Sequence, residues 1–183
     1  MLRPLICRRM KPQLFLTLAA LSFLAPAPAF AQARGAAAPQ RLGSFGNWTA
    51  ATHQEGGAKV CYAFTRASKS EGGGNRQNVM LTVTQRPQGR DQVAASLGYA
   101  LRRDAGNDDV SGNVGGNDLR FYGAGTNAFA QEGTAAVAAF KAGRDLVVKG
   151  PGPQNKGGTT DTFSLSGFSA AYDAISKECP PRR

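Results

Sequence analysis

Residues 143–181 read GRDLVVKGPGPQNKGGTTDTFSLSGFSAAYDAISKECPP, and this stretch decides the fold. Leu146/Val148 and Phe163/Leu165 place large apolar side chains on every second residue, the pattern of two strands that each bury one face. A Pro/Gly/Asn/Lys loop joins them. After Ser166 the period changes: Phe168, Ala171, Tyr172, Ile175 and Cys179 share one stripe of a single helix. Ser166 is the expected N-cap, Pro180 and Pro181 end the helix directly after the cysteine, and Cys179 is expected to face inward.

A helix of this kind needs a surface to cover. In KVCYAFTR, Val60, Tyr62 and Phe64 alternate with Cys61, Ala63 and Thr65, so one face carries only small side chains that admit a helix closely. The expected consequence is a Cys61–Cys179 disulfide closing a loop of 118 residues. The alternative is a pair of buried free thiols, the default for a cytosolic protein, and the compartment decides between them.

The compartment is written at the other end. Residues 10–31, MKPQLFLTLAALSFLAPAPAFA, carry Lys11, an apolar run from Leu14 to Leu24 and the small-x-small pattern Ala29-Phe30-Ala31, which together read as a secretory signal peptide over residues 1–31. The run is too short to anchor a helix across a bilayer, so no transmembrane segment is expected after cleavage. Met10 is an alternative translation start. Cys7 leaves with the leader, and the remaining two cysteines are an even number in an oxidising space. Cleavage after Ala31 leaves 152 residues, enough for one domain, and lowers Lys+Arg from 22 to 18 against 12 Asp+Glu, a net charge of +6 rather than +10.

Residues 32–41 read as a flexible leader and residues 42–181 as a single domain. Phe45 and Trp48 anchor a first strand, and His53 to Gly57 reads as a turn before the strand around Cys61. VMLTVTQR gives another strand with Val79, Leu81 and Val83 on its apolar face. Residues 91–101 are ambiguous between strand and helix, and Gly98 favours strand. Short strands and tight turns fill residues 102–130, and a small helix over residues 135–142 is capped by Thr134 and closed by Gly143. The architecture is therefore mainly β, a β-sandwich or barrel-like domain with one short helix and a C-terminal helix.

Gly46-x-Trp48 with Thr52, Cys61 a dozen residues on, the strand Gly143-Arg144-x-Leu146-x-Val148 and TTDTFSLSGFSAAYDAISKEC at 159–179 together resemble the invasion-associated locus B (IalB) family of alphaproteobacterial exported proteins. The likeness runs from about Leu42 to Pro180 and is most specific in SLSGFSAA followed by a near-terminal cysteine. It implies a periplasmic or envelope-associated, mainly β protein without a known catalytic activity, retained in the periplasm, attached to the outer membrane or secreted; the host-cell invasion that names the family does not carry over automatically, and the expected partner is an envelope or host-surface protein. One departure is the absence of cysteine between Val83 and Tyr122, where many relatives carry more.

Chemistry-bearing residues are few. His53 is the only histidine, and no GxSxG elbow accompanies it, so a catalytic triad lacks its motif. Asp104, Asn107, Asp108 and Asp109 offer oxygen ligands for calcium but not at EF-hand spacing, and read as a solvated turn. Residues 123–128 (GAGTNA) and 152–159 (GPQNKGGT) imitate nucleotide-binding loops without their context, and read as hairpin turns. No metal or cofactor is expected. The basic pairs Arg66/Lys69, Arg86/Arg90, Arg102/Arg103 and Lys149/Lys156 are spread along the chain, which argues against nucleic-acid binding and reads first as a solvated surface and second as weak attraction to anionic envelope polymers. The functional expectation is a non-enzymatic envelope protein acting through contacts, with its Gly/Asn-rich loops as contact surfaces. The alternatives are a small exported hydrolase and an envelope ligand-binding or inhibitor module.

Overall fold

The computed structural model describes residues 38–101 and 110–181. The expected signal peptide, most of the leader, the Arg102/Arg103 pair and the Asp104–Asp109 turn lie outside the described residues. Eleven strands form one sheet: β1 (Gln40–Phe45), β2 (Trp48–Glu55), β3 (Ala58–Arg66), β4 (Lys69–Glu71), β5 (Met80–Arg86), β6 (Gly89–Ser96), β7 (Val110–Val114), β8 (Asn117–Ala124), β9 (Asn127–Ala130), β10 (Asp145–Pro151) and β11 (Gly158–Ser164). Two α-helices, α1 (Gly133–Ala142) and α2 (Phe168–Glu178), complete the mainly β architecture expected from the alternation of apolar residues.

The strand order is β1-β2-β3-β5-β6-β9-β8-β7-β10-β11-β4, and all pairs are antiparallel. Only Ala67 and Ser68 separate β3 from β4, and they pass the chain from one neighbour to another. Ala67 N–H donates to Val79 O next to β5, while Ser68 N–H donates to Thr162 O on β11. Because β3 runs straight into β4, the first and last strands of the ring from β3 through β11 to β4 share one stretch of chain, and the sheet closes on itself in a barrel-like form.

Beyond that ring, β1 and β2 extend from the opposite end of the same edge of β3. Trp48 at the start of β2 is fully buried and donates from Nε1 to Ser164 O at 3.0 Å, which ties the peeled-off pair to the end of β11. The space between is filled by α2. Phe168 lies 4.9 Å from the Trp48 ring and 5.4 Å from Phe140 of α1, measured between centroids, and Ala171 and Ile175 are buried beside it. Each fully buried aromatic or branched side chain here stabilises the fold by roughly 1.5–3 kcal/mol. The helical stripe read from the sequence is thus the stripe that packs.

Four local expectations are corrected. The N-cap of α2 is Gly167, not Ser166, and it makes no side-chain cap; its φ is 90° and a Cβ there would lie 1.9 Å from Phe45 O. Gly46 in the β1–β2 turn is its counterpart, also at positive φ and pressed against Ser166 O, and the neighbouring Asn47 N–H donates to that same oxygen. Close backbone approach outweighs the capping preference. Likewise α1 begins at Gly133 with Glu132 as N-cap, so Thr134 lies inside the first turn. Finally, Gln40 and Arg41 belong to β1 and not to the leader, and β2 continues through His53 to Glu55, leaving Gly56-Gly57 as the turn.

Candidate functional site

Strand β3 turns its small face inward: Cys61, Ala63 and Thr65 are buried, while Tyr62 and Phe64 lie half-buried on the outside. The inward face receives α2, whose stripe ends at Cys179, and the structure joins Cys61 to Cys179 in a disulfide with a Cα–Cα distance of 6.0 Å. Around this bond the chain forms a cleft of about 440 Å³, lined by Lys59, Arg86, Pro87, Arg90, Cys179 and Pro180 among others.

The cleft gathers cations that are distant in sequence. Arg90 donates from Nη1 to Cys179 O at 2.7 Å, meeting the negative end of α2. Lys59 Nζ lies 2.5 Å from Glu178 Oε1, and Arg86 Nε lies 3.1 Å from Glu55 Oε2. The expectation of scattered basic pairs is corrected here, because the sheet register and the helix end bring Lys59, Arg86 and Arg90 to one place. These pairs are exposed to water, and exposed pairs of this sort contribute at most about 1 kcal/mol each, so an arriving anion exchanges with Glu178 or Glu55 at little cost.

Two buried polar networks escaped the sequence reading. Arg76, in the loop between β4 and β5, donates to Asp161 Oδ1 and Oδ2 at 2.7 and 2.8 Å and to the carbonyls of Gly72, Leu97 and Glu71. All five guanidinium N–H groups are used, and the hydrogen bond to Asp161 raises the Arg76 pKa above its ordinary value against the opposing effect of burial. The Gly/Asn-rich loop carrying Arg76 is therefore anchored at its middle, while Gly74, Asn75, Gln77 and Asn78 around it stay exposed. Tyr99 hydrogen-bonds Pro151 O and Thr159 Oγ1 beside it, and burial raises its phenol pKa.

The second network centres on Asp91, which has φ 53° next to a bulge in the β5–β6 pair. Its Oδ1 accepts from Gln85 Nε2 and from Tyr172 Oη, both at 2.7 Å, and its N–H donates to Gln85 Oε1. Burial first, and then the Asp91 carboxylate, raises the Tyr172 pKa. These bonds fasten the hairpin to α2. In sequence, Arg76 and Asp91 look like solvated loop residues; only an arginine among glycines gave any hint.

The remaining candidates are placed as follows. His53 stands on β2 with its ring 5.4 Å from that of Tyr62 and its Nε2 3.8 Å from Glu55 Oε2. Residues 123–128 form the β8–β9 turn and residues 152–159 the β10–β11 hairpin, as expected. Lys69 pairs with Glu71 at 2.9 Å, and Lys149 and Lys156 are exposed around the β10–β11 hairpin. Among the described residues no group of three or more His, Cys, Asp or Glu side chains is placed to hold a metal ion, and no helix is long and apolar enough to cross a membrane.

Comparison with curated proteins and with solved structures gives no significant match. The family model described as Invasion associated locus B (IalB) protein matches residues 48–176, from the buried Trp48 to the last turn of α2. The matched span contains Cys61, both buried polar networks and the strands that close the sheet, and the chain belongs to the IalB family.

Proposed function

We propose that this chain is a non-enzymatic, exported protein of the cell envelope that acts by contact, with the Lys59/Arg86/Arg90 cleft as its seat for anionic groups of an envelope or host-surface partner. The single observation that carries the reading is that cleft, where three basic side chains converge beside a disulfide. Membership in the IalB family and the signal-peptide pattern support export. The polar networks of Arg76 and Asp91 support a structural use of the strongest polar groups, since their donors and acceptors are spent on one another.

The test starts from cells expressing the full chain. Protein from the periplasmic fraction is expected to begin near Gln32 and to take up two alkyl groups only after reduction, as read by intact mass. It is expected to co-sediment with purified envelope fragments in a salt-sensitive manner. A basic residue near an anionic surface contributes about 1 kcal/mol, so Lys59→Ser with Arg90→Ser is expected to weaken co-sedimentation by on the order of tenfold. An uncleaved cytoplasmic chain, unchanged binding in that variant, or turnover of ester, amide or glycoside substrates overturns the reading.

A further inference from the structure

The outer face of the sheet carries a feature that only strand register reveals. Thr49 pairs with Phe64, Phe64 with Thr82, Thr82 with Ala94, Ala94 with Phe129, and Phe129 with Tyr122. These six residues from six strands form one transverse row; Thr49, Phe64, Thr82 and Ala94 each lie between two buried strand neighbours, and Phe129 and Tyr122 each follow a buried one, Ala128 and Phe121, so the row faces away from the core. The next row holds Ala51, Tyr62, Thr84 and Gln92.

Two aromatic pairs stand on this face. The Tyr62 and Phe64 rings lie 5.9 Å apart and those of Tyr122 and Phe129 5.7 Å apart, each pair inclined by 26°. Three strand steps separate Phe64 from Phe129, about 14 Å at ordinary strand spacing. Small hydroxyl, amide and methyl side chains, Thr82, Gln92 and Ala94, occupy the floor between them, with Thr84 buried beneath.

Phe64 also borders two hollows, and Tyr62 borders the second of them. One, of about 330 Å³, is lined by Asn47, Thr49, Phe64, Arg66, Ser68 and Ser164. The other, of about 300 Å³, is lined by Pro39, Arg41, Thr49, Tyr62 and Phe64. Each therefore combines an aromatic face, hydroxyl groups and one arginine. Arg41 and Arg66 are exposed, and among the described residues neither forms an ion pair with an acidic side chain.

We infer that this face binds an acidic polysaccharide, a sugar chain bearing carboxylates, laid across the Tyr62–Phe64 pair toward Phe129 and Tyr122. The electron-rich face of an aromatic ring suits the C–H face of a sugar. Hydroxyl and amide side chains suit its hydroxyl groups, and arginine takes a carboxylate through paired donors. Both arginines border the Phe64 end, so the carboxylates are held there while the rings and hydroxyls beyond take uncharged parts of the chain, a division that a uniformly acidic peptide does not match. The inference rests on the reading of the chain as a contact protein, and it concerns a face separate from the cleft.

The experiment is binding of the disulfide-intact protein, purified from cells expressing the full chain, to alginate, to neutral cellohexaose and to poly-glutamate. Alginate is expected to bind at least about tenfold more tightly than either of the other two. Phe64→Ala is expected to weaken alginate binding by about tenfold, the size of losing an aromatic anchor. Arg66→Gln is expected to weaken it and to reduce its salt dependence. Tyr122→Ser, at an exposed position, is expected to weaken it several-fold and guards against a folding defect at Phe64. Equal binding of alginate and poly-glutamate, insensitive to Phe64→Ala and Tyr122→Ser, overturns the inference; if Lys59→Ser with Arg90→Ser then abolishes it, the cleft reading survives alone. Absence of alginate binding also overturns it, and leaves co-sedimentation with envelope fragments to decide the cleft separately.

Discussion

The molecule is held shut in two places by opposite means. Near the end of α2 a covalent bond joins Cys179 to Cys61, and at the β4–β11 seam a buried ion pair joins Arg76 to Asp161. The disulfide acts mainly by restricting the unfolded chain, so its contribution grows with the 118 residues it spans and hardly depends on what surrounds it. The ion pair acts only in the folded state, where both side chains have lost their water, and it is favourable only because every guanidinium donor finds an acceptor. One closure tolerates imperfect surroundings; the other fails if any member is missing.

The largest expected effect comes from cutting the staple. Cys61→Ser and Cys179→Ser are each expected to lower unfolding free energy by a similar amount, with the chain-entropy model setting an upper end on the order of 5 kcal/mol. The double variant is expected to be little worse than either, since both single changes break the same bond. Urea denaturation measures this, and additive losses would show that the cysteines act independently. Next comes the seam: Asp161→Ala is expected to cost about 3–5 kcal/mol by leaving Arg76 buried and unpaired. Arg76→Met with Asp161→Leu is expected to recover only part of that in the same assay, because the carbonyls of Gly72, Glu71 and Leu97 lose their donor. Full recovery would make the seam an ordinary hydrophobic joint.

The smallest effect sharpens the contrast through pH. Tyr172 has a pKa above the ordinary 10.0, so the folded state keeps a phenol proton that the unfolded chain gives up. Above pH 10 the unfolded chain then binds fewer protons than the native one, and stability falls as pH rises through the folded pKa. Tyr172→Phe is expected to cost about 1 kcal/mol at neutral pH through its lost hydrogen bond, and to flatten part of that alkaline decline. Tyr99, raised by burial, keeps the rest. Thermal unfolding from about pH 8 to about pH 11 reads both effects, and an unchanged alkaline limb would assign the decline to Tyr99 alone.

Features with a period were legible in the sequence. The stripe from Phe168 to Cys179 and the alternation around Cys61 each need only side-chain spacing, so both the last helix and its docking face could be read. Features set by long-range approach were not. Nothing local distinguishes Gly167 as the start of α2 from Ser166, because the reason lies in Phe45 O, far away along the chain. Arg76 in a Gly/Ser loop has the signature of a solvated residue, and Asp161 sits in a TTDTF strand where any polar residue would fit the alternation. The cleft and the transverse aromatic row depend on register, which joins Phe64 to Phe129 only through two intervening strands.

The short passage from β3 to β4 also has a consequence in time. The edge that Ser68 presents must wait for Thr162, 94 residues later in the chain, before its hydrogen bond can form. A polypeptide made from its N-terminus therefore holds that edge open until Thr162 has emerged, and an open strand edge is where chains pair with the wrong neighbour. Ring closure and the Cys61–Cys179 bond both wait for residues after Asp145, so the stretch that decides the fold also decides when that edge is covered.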